Sequence, residues 1–361
     1  MASVLQRLRE CALANPQRIV IFEGEEYRTL IAAESIARAR LAHLTLLGNP
    51  QRIQERMDYL GLRLEGIRCI DPECSPQLES YAAVLCERRK VRMSEAEAVE
   101  MAKSPPYFAG LMVAAGDADA FVGGAATTTA ETTRAVLATI GKHPEAALVS
   151  SFHLMISPQR GWGVKGAFLF ADCGVIPDPS ASQLAEIALA TADNARAILR
   201  EEPRVAMLSF STLGSAEHRQ LESVIKATQI VKARAPRLAV EGETQLDSAL
   251  VPEIAARKAP GSGFAGGANV LIFPDLNSGN IGYKIAERLG GCAAVGPVYQ
   301  GLAGAASDLS RGCEPPDIAD AVVLVSFQAA RMKVGAPSGA WAAERSFRST
   351  AGNGHASRFG S

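Results

Sequence analysis

Long apolar runs, paired cysteines and a surplus of positive charge are all missing from this chain. The longest apolar stretches, such as Ala321 to Val325, fall far short of the ~20 residues needed to cross a bilayer. The amino terminus carries charges where a secretory leader has an apolar core. A membrane partner is therefore not expected, and the chain is assigned to the cytoplasm. Lysine and arginine number 37 against 38 acids, which leaves no excess to neutralise a nucleic-acid backbone. Nucleic acid is not an expected partner. The seven cysteines, Cys11, Cys69, Cys74, Cys86, Cys173, Cys292 and Cys313, are odd in number and show no CxxC spacing. That argues against a disulfide framework and against a zinc cluster. His43, His143, His153, His218 and His355 are scattered, with no HExxH pair. No metal site is expected.

What is present is ordinary globular material, 48% apolar and 21% charged over 361 residues, enough for two cores. Ser3 to Ala14 reads as a helix. Strands at 18–22 and 44–47 flank a helix over 25–42, which makes a βαβ unit. Helix 52–60 and strand 67–70 continue the alternation, so a parallel sheet covered by helices is expected. Arg88-Arg89-Lys90 is a basic cluster before a helix near Ser94, and such a run is more often a solvated face than a site. Strand 120–122 runs into Gly123-Gly124-Ala125-Ala126-Thr127-Thr128-Thr129. The glycine pair lets backbone approach a ligand, and the hydroxyls either cap the helix carrying Arg134 or bind phosphate.

Two strands follow, 147–156 and 167–171. The turn between them, Gly161 to Gly166, satisfies GxGxxG but opens a strand rather than a helix, so it predicts a hairpin and not a dinucleotide site. Cys173 invites a nucleophile reading, but no histidine is near it in sequence, and a packed cysteine is favoured. Helix 182–199 keeps Thr191 as the one polar member of its inward stripe. Strand 205–210 ends in a loop where Ser211 and Thr212 are secondary candidates. After helix 221–235 and strand 238–240, the carboxylates Glu241, Glu243 and Asp247 are read as ordering a loop rather than as an acid/base pair.

The stretch from Asn269 to Asp317 carries the most chemistry. The apolar strand 270–273 breaks at Pro274 into Asn277, Ser278, Gly279 and Asn280, and a helix follows with Ile281, Ile285 and Leu289 at helical spacing. Free backbone N–H groups at such a start suit an anion. A short strand through Val295, a Gly/Ala-rich loop and Asp308-Leu309-Ser310-Arg311-Gly312 lead to a helix beginning near Pro315-Pro316-Asp317. A hydroxyl, a guanidinium and a carboxylate thus fall within eight residues beside a helix start. An arginine fork matches phosphate geometry, and the carboxylate is a proton acceptor.

The segments FPDLNSGNIGYKIAERLGG, GPVYQG and DLSRG resemble the signature of the phosphate acetyl/butyryl transferases, which exchange the thioester of an acyl-CoA for an acyl phosphate. IVIFEGEEYRTL, YFAGLMV, FLFADCGVIPDPS and VAMLSFSTLGSA are similar to further family segments, in family order, over roughly Arg18 to Met332. The resemblance implies two doubly wound α/β domains with a cleft between them, in an isocitrate/isopropylmalate-dehydrogenase-like architecture. It implies a first domain of 1–144 completed by 306–332, a second of 145–305, and homodimers. The composition of 333–361 is that of a flexible tail. The implied reaction is acyl-CoA plus phosphate to acyl phosphate plus coenzyme A, in a ternary complex and with no cofactor beyond coenzyme A itself. Asp317 is the implied base for the thiol, Arg311 the phosphate and transition-state stabiliser, and Ser310 the hydrogen-bonding partner of the reacting groups. Arg88 and Arg134 are the implied holders of phosphate groups. With them stand Thr128, Thr129, Asn277, Ser278, Gly279, Asn280, Tyr283 and Lys284 as substrate-binding candidates.

The sequence departs from its relatives at Gly123, Thr127 and Ala135, where serine, histidine and proline are usual. It also departs at Val91 and Arg92 after the basic cluster, and at Gly304 and Ala305. These departures bear on the acyl group accepted. They keep a butyryl or longer-acyl transferase open, together with a catalytically weak paralogue that binds acyl-CoA. A dehydrogenase reading rests only on the misplaced GxGxxG and a shared fold class.

Overall fold

The computed structural model describes residues 3–89, 93–262 and 264–335. Lys90, Val91, Arg92 and all but the first three residues of the expected tail lie outside the described residues. From the amino terminus the elements are α1 (Val4–Ala14), β1 (Gln17–Ile21), α2 (Tyr27–Arg38), β2 (Ala42–Leu47), α3 (Pro50–Tyr59) and β3 (Ile67–Ile70). Helices α4 (Leu78–Arg89), α5 (Glu95–Lys103) and α6 (Pro105–Ala115) precede β4 (Ala120–Gly123) and α7 (Thr129–Thr139). Then come β5 (Ser150–Ile156), β6 (Ala167–Ala171), α8 (Ala181–Leu199), β7 (Arg204–Leu208), α9 (Leu221–Arg234) and β8 (Ala239–Thr244). The remainder is α10 (Leu246–Leu250), α11 (Pro252–Lys258), β9 (Val270–Ile272), α12 (Leu276–Arg288), β10 (Ala293–Gln300), β11 (Ala305–Asp308) and α13 (Pro315–Lys333).

All eleven strands join one sheet, in the order β3-β2-β1-β4-β11-β10-β5-β6-β9-β7-β8. The block β3 to β11 is parallel, and so is the block β6 to β8. Between them three successive pairings, β11 with β10, β10 with β5 and β5 with β6, are antiparallel. The two parallel blocks therefore run in opposite directions, each with helices on its faces, as the doubly wound reading anticipates.

The strands that are buried on both faces, such as β4, β9 and the end of β7, are continuous apolar runs. Helix α13 buries most of its length, from Ile318 to Ala329, and packs on α1, α2, β1, β4, β10 and β11. The last helix thus returns to the amino-terminal block. Gln300 in β10 ties the middle together. Its amide donates to Ser150 Oγ at 2.9 Å and Thr191 Oγ1 at 3.0 Å, and it accepts from Asn194 Nδ2 at 3.0 Å. The one polar member of the α8 stripe is explained by this buried, satisfied network.

Several elements differ from the sequence expectation. Residues 305–308, read as loop, form β11, because short, alanine-rich segments give no strand signal and the pairing with β4 decides. Strand β8 extends to Thr244, so Glu241 and Glu243 lie on it. Helix α2 stops at Arg38, since Arg40 takes a φ of 54° and turns the chain into β2. The stripe Ile281, Ile285 and Leu289 does not face the core, being 57%, 53% and 85% exposed. Helix α12 buries Gly279 and Tyr283 instead. The GxGxxG turn is the β5–β6 hairpin, with Gly163 and Gly166 at φ values of 57° and 91°.

Candidate active site

Loops from both parallel blocks fold over the antiparallel middle and enclose a cleft of about 1100 Å3. Its floor includes His153 of β5 and Pro297 of β10. From the amino-terminal block come Thr129, Thr133 and Arg134 of α7 and the run Asp308 to Gly312. The other block supplies Cys173, Gly174, Asn280, Tyr283, Lys284 and Arg288. Arg134, Lys284, Arg288 and Arg311 are cations, and Asp308 is the single carboxyl lining it among the described residues. In a chain of net charge −1, this concentration of positive charge is a local field suited to an anionic substrate.

The loop after β4 is organised by a residue the sequence reading did not single out. The Glu23 carboxylate accepts the backbone N–H groups of Gly124, Ala125, Ala126 and Thr127 at 2.9, 2.7, 2.8 and 2.7 Å. That loop was expected to offer its backbone to a ligand, but an internal anion already occupies the nest. Gly123 is not an opening either, since a Cβ there would overlap the Phe22 ring. Thr128 caps α7 in a reciprocal pair with Glu131, so its hydroxyl is committed. Thr129 and Arg134 do face the cleft, and the Arg134 guanidinium makes no hydrogen bond or salt bridge among the described residues, although its charge acts on Glu131.

The DLSRG segment sits at the end of β11. Arg311 lines the cleft, and its guanidinium likewise makes no hydrogen bond or salt bridge among the described residues, its charge acting on Glu131 as well. Its backbone is held from behind by Arg28, which donates to Arg311 O at 2.8 Å, Cys313 O at 2.9 Å and Ala125 O at 2.7 Å while pairing with Glu26 at 2.7 Å. Ser310 lies on the cleft wall, with its Oγ accepting from Gly312 N at 3.3 Å. Asp317 opens α13, accepting from Glu314 N at 2.8 Å. It is not on the main cleft but lines a small void of about 20 Å3 behind Ser310, shared with His153, Tyr283 and Cys313. Such a volume holds about one water.

Around α12 the expected candidates divide. Asn280, Tyr283 and Lys284 line the cleft. Asn277, Ser278 and Gly279 do not: Asn277 is exposed, Ser278 faces a separate groove with Phe210, and Gly279 packs against Asp172 and Cys173. The helix start expected to receive an anion is capped by Asp275, whose carboxylate accepts from Ser278 N at 2.8 Å. Tyr283 stacks on His153, with ring centroids 4.2 Å apart, and Lys284 Nζ lies 4.8 Å from the tyrosine centroid. Burial, with the Lys284 charge adding to it, holds the His153 imidazole at about 3, so it is neutral at physiological pH. Burial likewise pushes the Cys173 thiol well up, with the Asp172 charge adding to it, which supports packing over nucleophilic attack. Ser211 is tied up with Glu243, whose carboxylate also accepts from Gly214 N at 2.6 Å, and Thr212 accepts from Gln245 N at 3.0 Å.

Arg88 is outside the cleft. Its guanidinium donates to Ile140 O at 2.8 Å, at the carboxyl end of α7. Thr129 begins the same helix, so the two ends lie roughly 16 Å apart at ~1.5 Å per residue. The cleft runs along this helix through Arg134 and Leu137.

Comparison with known proteins agrees with this arrangement. The family model described as phosphate acetyl/butaryl transferase matches residues 3–326. The phosphate acetyltransferase of Clostridium acetobutylicum is 44% identical over 329 residues, covering 91% of this chain and 99% of that protein. That of Paracoccus denitrificans is 47% identical over 325 residues, covering 90% and 98%. A phosphotransacetylase crystal structure from Streptococcus pyogenes superposes with a TM-score of 0.84 at 38% identity, covering 92% of this chain and all of that one. With the motifs, the sheet and the cation-lined cleft in agreement, the chain belongs to the phosphate acetyl/butyryl transferase family.

Proposed function

We propose that the reaction of this chain, acetyl-CoA plus phosphate to acetyl phosphate plus coenzyme A and back, runs in the cation-lined cleft by direct transfer in a ternary complex. The observation that carries this reading is the meeting of Ser310 and Arg311 with Thr129, Arg134 and Lys284 around one space, with Asp317 immediately behind Ser310. Arg311 and Arg134 bind phosphate oxygens. Arg311 also stabilises the charge that develops on the thioester oxygen and sulfur, and Ser310 hydrogen-bonds the reacting carbonyl or leaving group. Asp317 is the base for the coenzyme A thiol. Asn280, Tyr283 and Lys284 hold the other wall against the substrate.

A free carboxylate near pKa ~3.9 and a thiol near ~8.5 are mismatched by about 6 kcal/mol. The aspartate therefore needs a neighbouring positive charge to stabilise the nascent thiolate, and Arg311 supplies it. Positioning the two substrates contributes up to ~7–11 kcal/mol independently. The reading asks for no metal and no cofactor besides coenzyme A. Arg88, at the far end of α7, suits the phosphates of an extended coenzyme A whose thioester lies near Ser310.

The longer-acyl alternative rested on small residues at 123 and 126 and on Thr127. None of the three lines the cleft, and Phe22 fills the space beside Gly123, so acetyl remains the favoured group. We also propose the division into 1–144 with 306–332 and 145–305, a reading supported by the reversal of strand direction between β11 and β6. We also place the chain in the cytoplasm, where acyl-CoA and phosphate meet; no described helix is long and apolar enough to cross a membrane.

The test is thiol release from acetyl-CoA on adding phosphate, beside propionyl- and butyryl-CoA, with Asp317→Asn as control. Release with acetyl-CoA that depends on phosphate and falls at least ~100-fold in the variant is expected. Undiminished release by Asp317→Asn would remove Asp317 from the mechanism.

A further inference from the structure

One carboxyl in the cleft has no role in the reading above. Asp308, the last residue of β11, is fully buried, and neither of its oxygens has a hydrogen-bond partner among the described residues. A buried carboxyl left unpartnered costs stability. Its surroundings are tightly defined. Gly124, at a φ of 111°, passes so near Oδ1 that any Cβ there would overlap it. Thr129 and Thr132 of α7 bring hydroxyls to its side, near enough to act on its charge though neither closes a hydrogen bond. Thr132 is fully buried, whereas Thr129 is exposed and lines the cleft. Thr129 is therefore the hydroxyl that connects the enclosed carboxyl to the substrate space.

The charged and titratable groups around Asp308 are Glu23 from the loop after β1, Tyr299 from β10, and Arg134, Lys284, Arg288, Arg311 and neutral His153 along the cleft, with Asp317 at the start of α13. Burial pushes the Asp308 carboxyl up to about 7, Thr129, Thr132 and the Leu309 amide offset part of the rise, and the Glu23 charge adds to it. The group is thus poised to change protonation near neutrality.

We propose that Asp308 is a proton-holding residue that acts on the substrate phosphate through the Thr129 hydroxyl. This rests on the cleft being the transfer site. In acyl phosphate formation, an unprotonated oxygen of hydrogen phosphate attacks the thioester carbon. The O–C bond forms, the C–S bond breaks, and its electron pair leaves on sulfur. The phosphate's remaining proton passes to the Thr129 oxygen as that hydroxyl gives its own proton to the Asp308 carboxylate. The thiolate is protonated on the Asp317 side, so one proton leaves phosphate and one reaches coenzyme A. In the reverse direction protonated Asp308 delivers a proton through Thr129 to the departing phosphate, which then need not leave as a trianion. Asp308 is a positioning and relay group, acting through Thr129.

The experiment is the pH profile of kcat for acetyl-CoA formation from acetyl phosphate and coenzyme A, where free phosphate is not a reactant. The wild type is expected to lose activity as pH rises through about 7, when Asp308 loses its proton. Asp308→Asn should lower kcat at least ~100-fold with KM for acetyl phosphate within about threefold, and should abolish that limb. Thr129→Val should reproduce the defect, add nothing in the double variant, and be rescued by Thr129→Ser. At pH 8 Asp308→Asn should melt no lower than the wild type, because a neutral amide replaces a carboxylate that burial disfavours. A wild-type profile without a limb near 7 overturns the proposal and needs no variant to fold. So does a wild-type kcat in Asp308→Asn. A wild type that transfers no acetyl group overturns the reading of the cleft itself.

Discussion

Arg311 and Arg88 carry the same charge and do different things. The Arg311 guanidinium, on the cleft wall beside Ser310, makes no hydrogen bond or salt bridge among the described residues, while Arg88 is anchored on Ile140 O, a helix length away. Arg311→Gln should therefore lower kcat by roughly 100-fold or more, the scale of losing one transition-state donor. Arg88→Gln should mainly raise KM for coenzyme A. Steady-state kinetics with coenzyme A varied against fixed acetyl phosphate separates them, and equal effects on that KM alone would defeat the division. These residues were legible because they stand in motifs: Ser310, Arg311 and Asp317 within eight positions, Thr129 and Arg134 in one helix. Glu23, Arg28, His153 and Asp308 acquire their roles from partners far away in the chain. Glu23 is about a hundred residues from the amides it holds, and Arg28 nearly three hundred from the loop it braces. No local pattern encodes such contacts.

At the scale of the element, α12 joins two functions. One side brings Asn280, Tyr283 and Lys284 to the cleft, and the other turns Ile281, Ile285 and Leu289 to the exterior. Their spacing made the helix legible but not its direction, because an apolar stripe reads the same whether it packs on its own chain or on another. In the homodimer that the family resemblance implies, this stripe is the surface we expect a second copy to cover. Ile281→Lys with Ile285→Lys should shift the light-scattering mass from dimer to monomer, whereas an unchanged mass would place the interface elsewhere. The starts of α7, α8 and α13 were nearly legible, since Thr128, Ser180 and the prolines at 315 and 316 mark them. Strand β11 was not, because Ala-Ala-Ser-Asp becomes a strand only through its pairing with β4.

For the whole molecule, the clearest tie between the two ends of the chain is Asp119. Arg18 at 2.6 Å and Lys333 at 2.9 Å both pair with it, fastening the end of α13 beside the start of β1. Burial alone would raise the Asp119 carboxyl, but the Arg18 side chain and amide together with Lys333 outweigh it and hold it at about 2. Its folded value lies below its unfolded one, so its contribution to stability is present above about pH 4 and is lost as pH falls through about 2. Asp119→Asn should lower the melting temperature at pH 7 by roughly 1–2 °C, taking ~1 kcal/mol after discounting for solvent screening. It should also flatten the acid side of the stability curve; an unaltered acid limb in calorimetry would show that the tie contributes nothing. Elsewhere at strand ends, the loops after β4 and β7 combine glycine with hydroxyls, and by sequence both are candidate sites. Glu23 and Glu243 fill these two with carboxylates of the chain itself. These loops keep their shape by their own carboxylates and repel a second anion, so among the described residues a phosphate drawn in by the cations is steered away from them and toward the cleft.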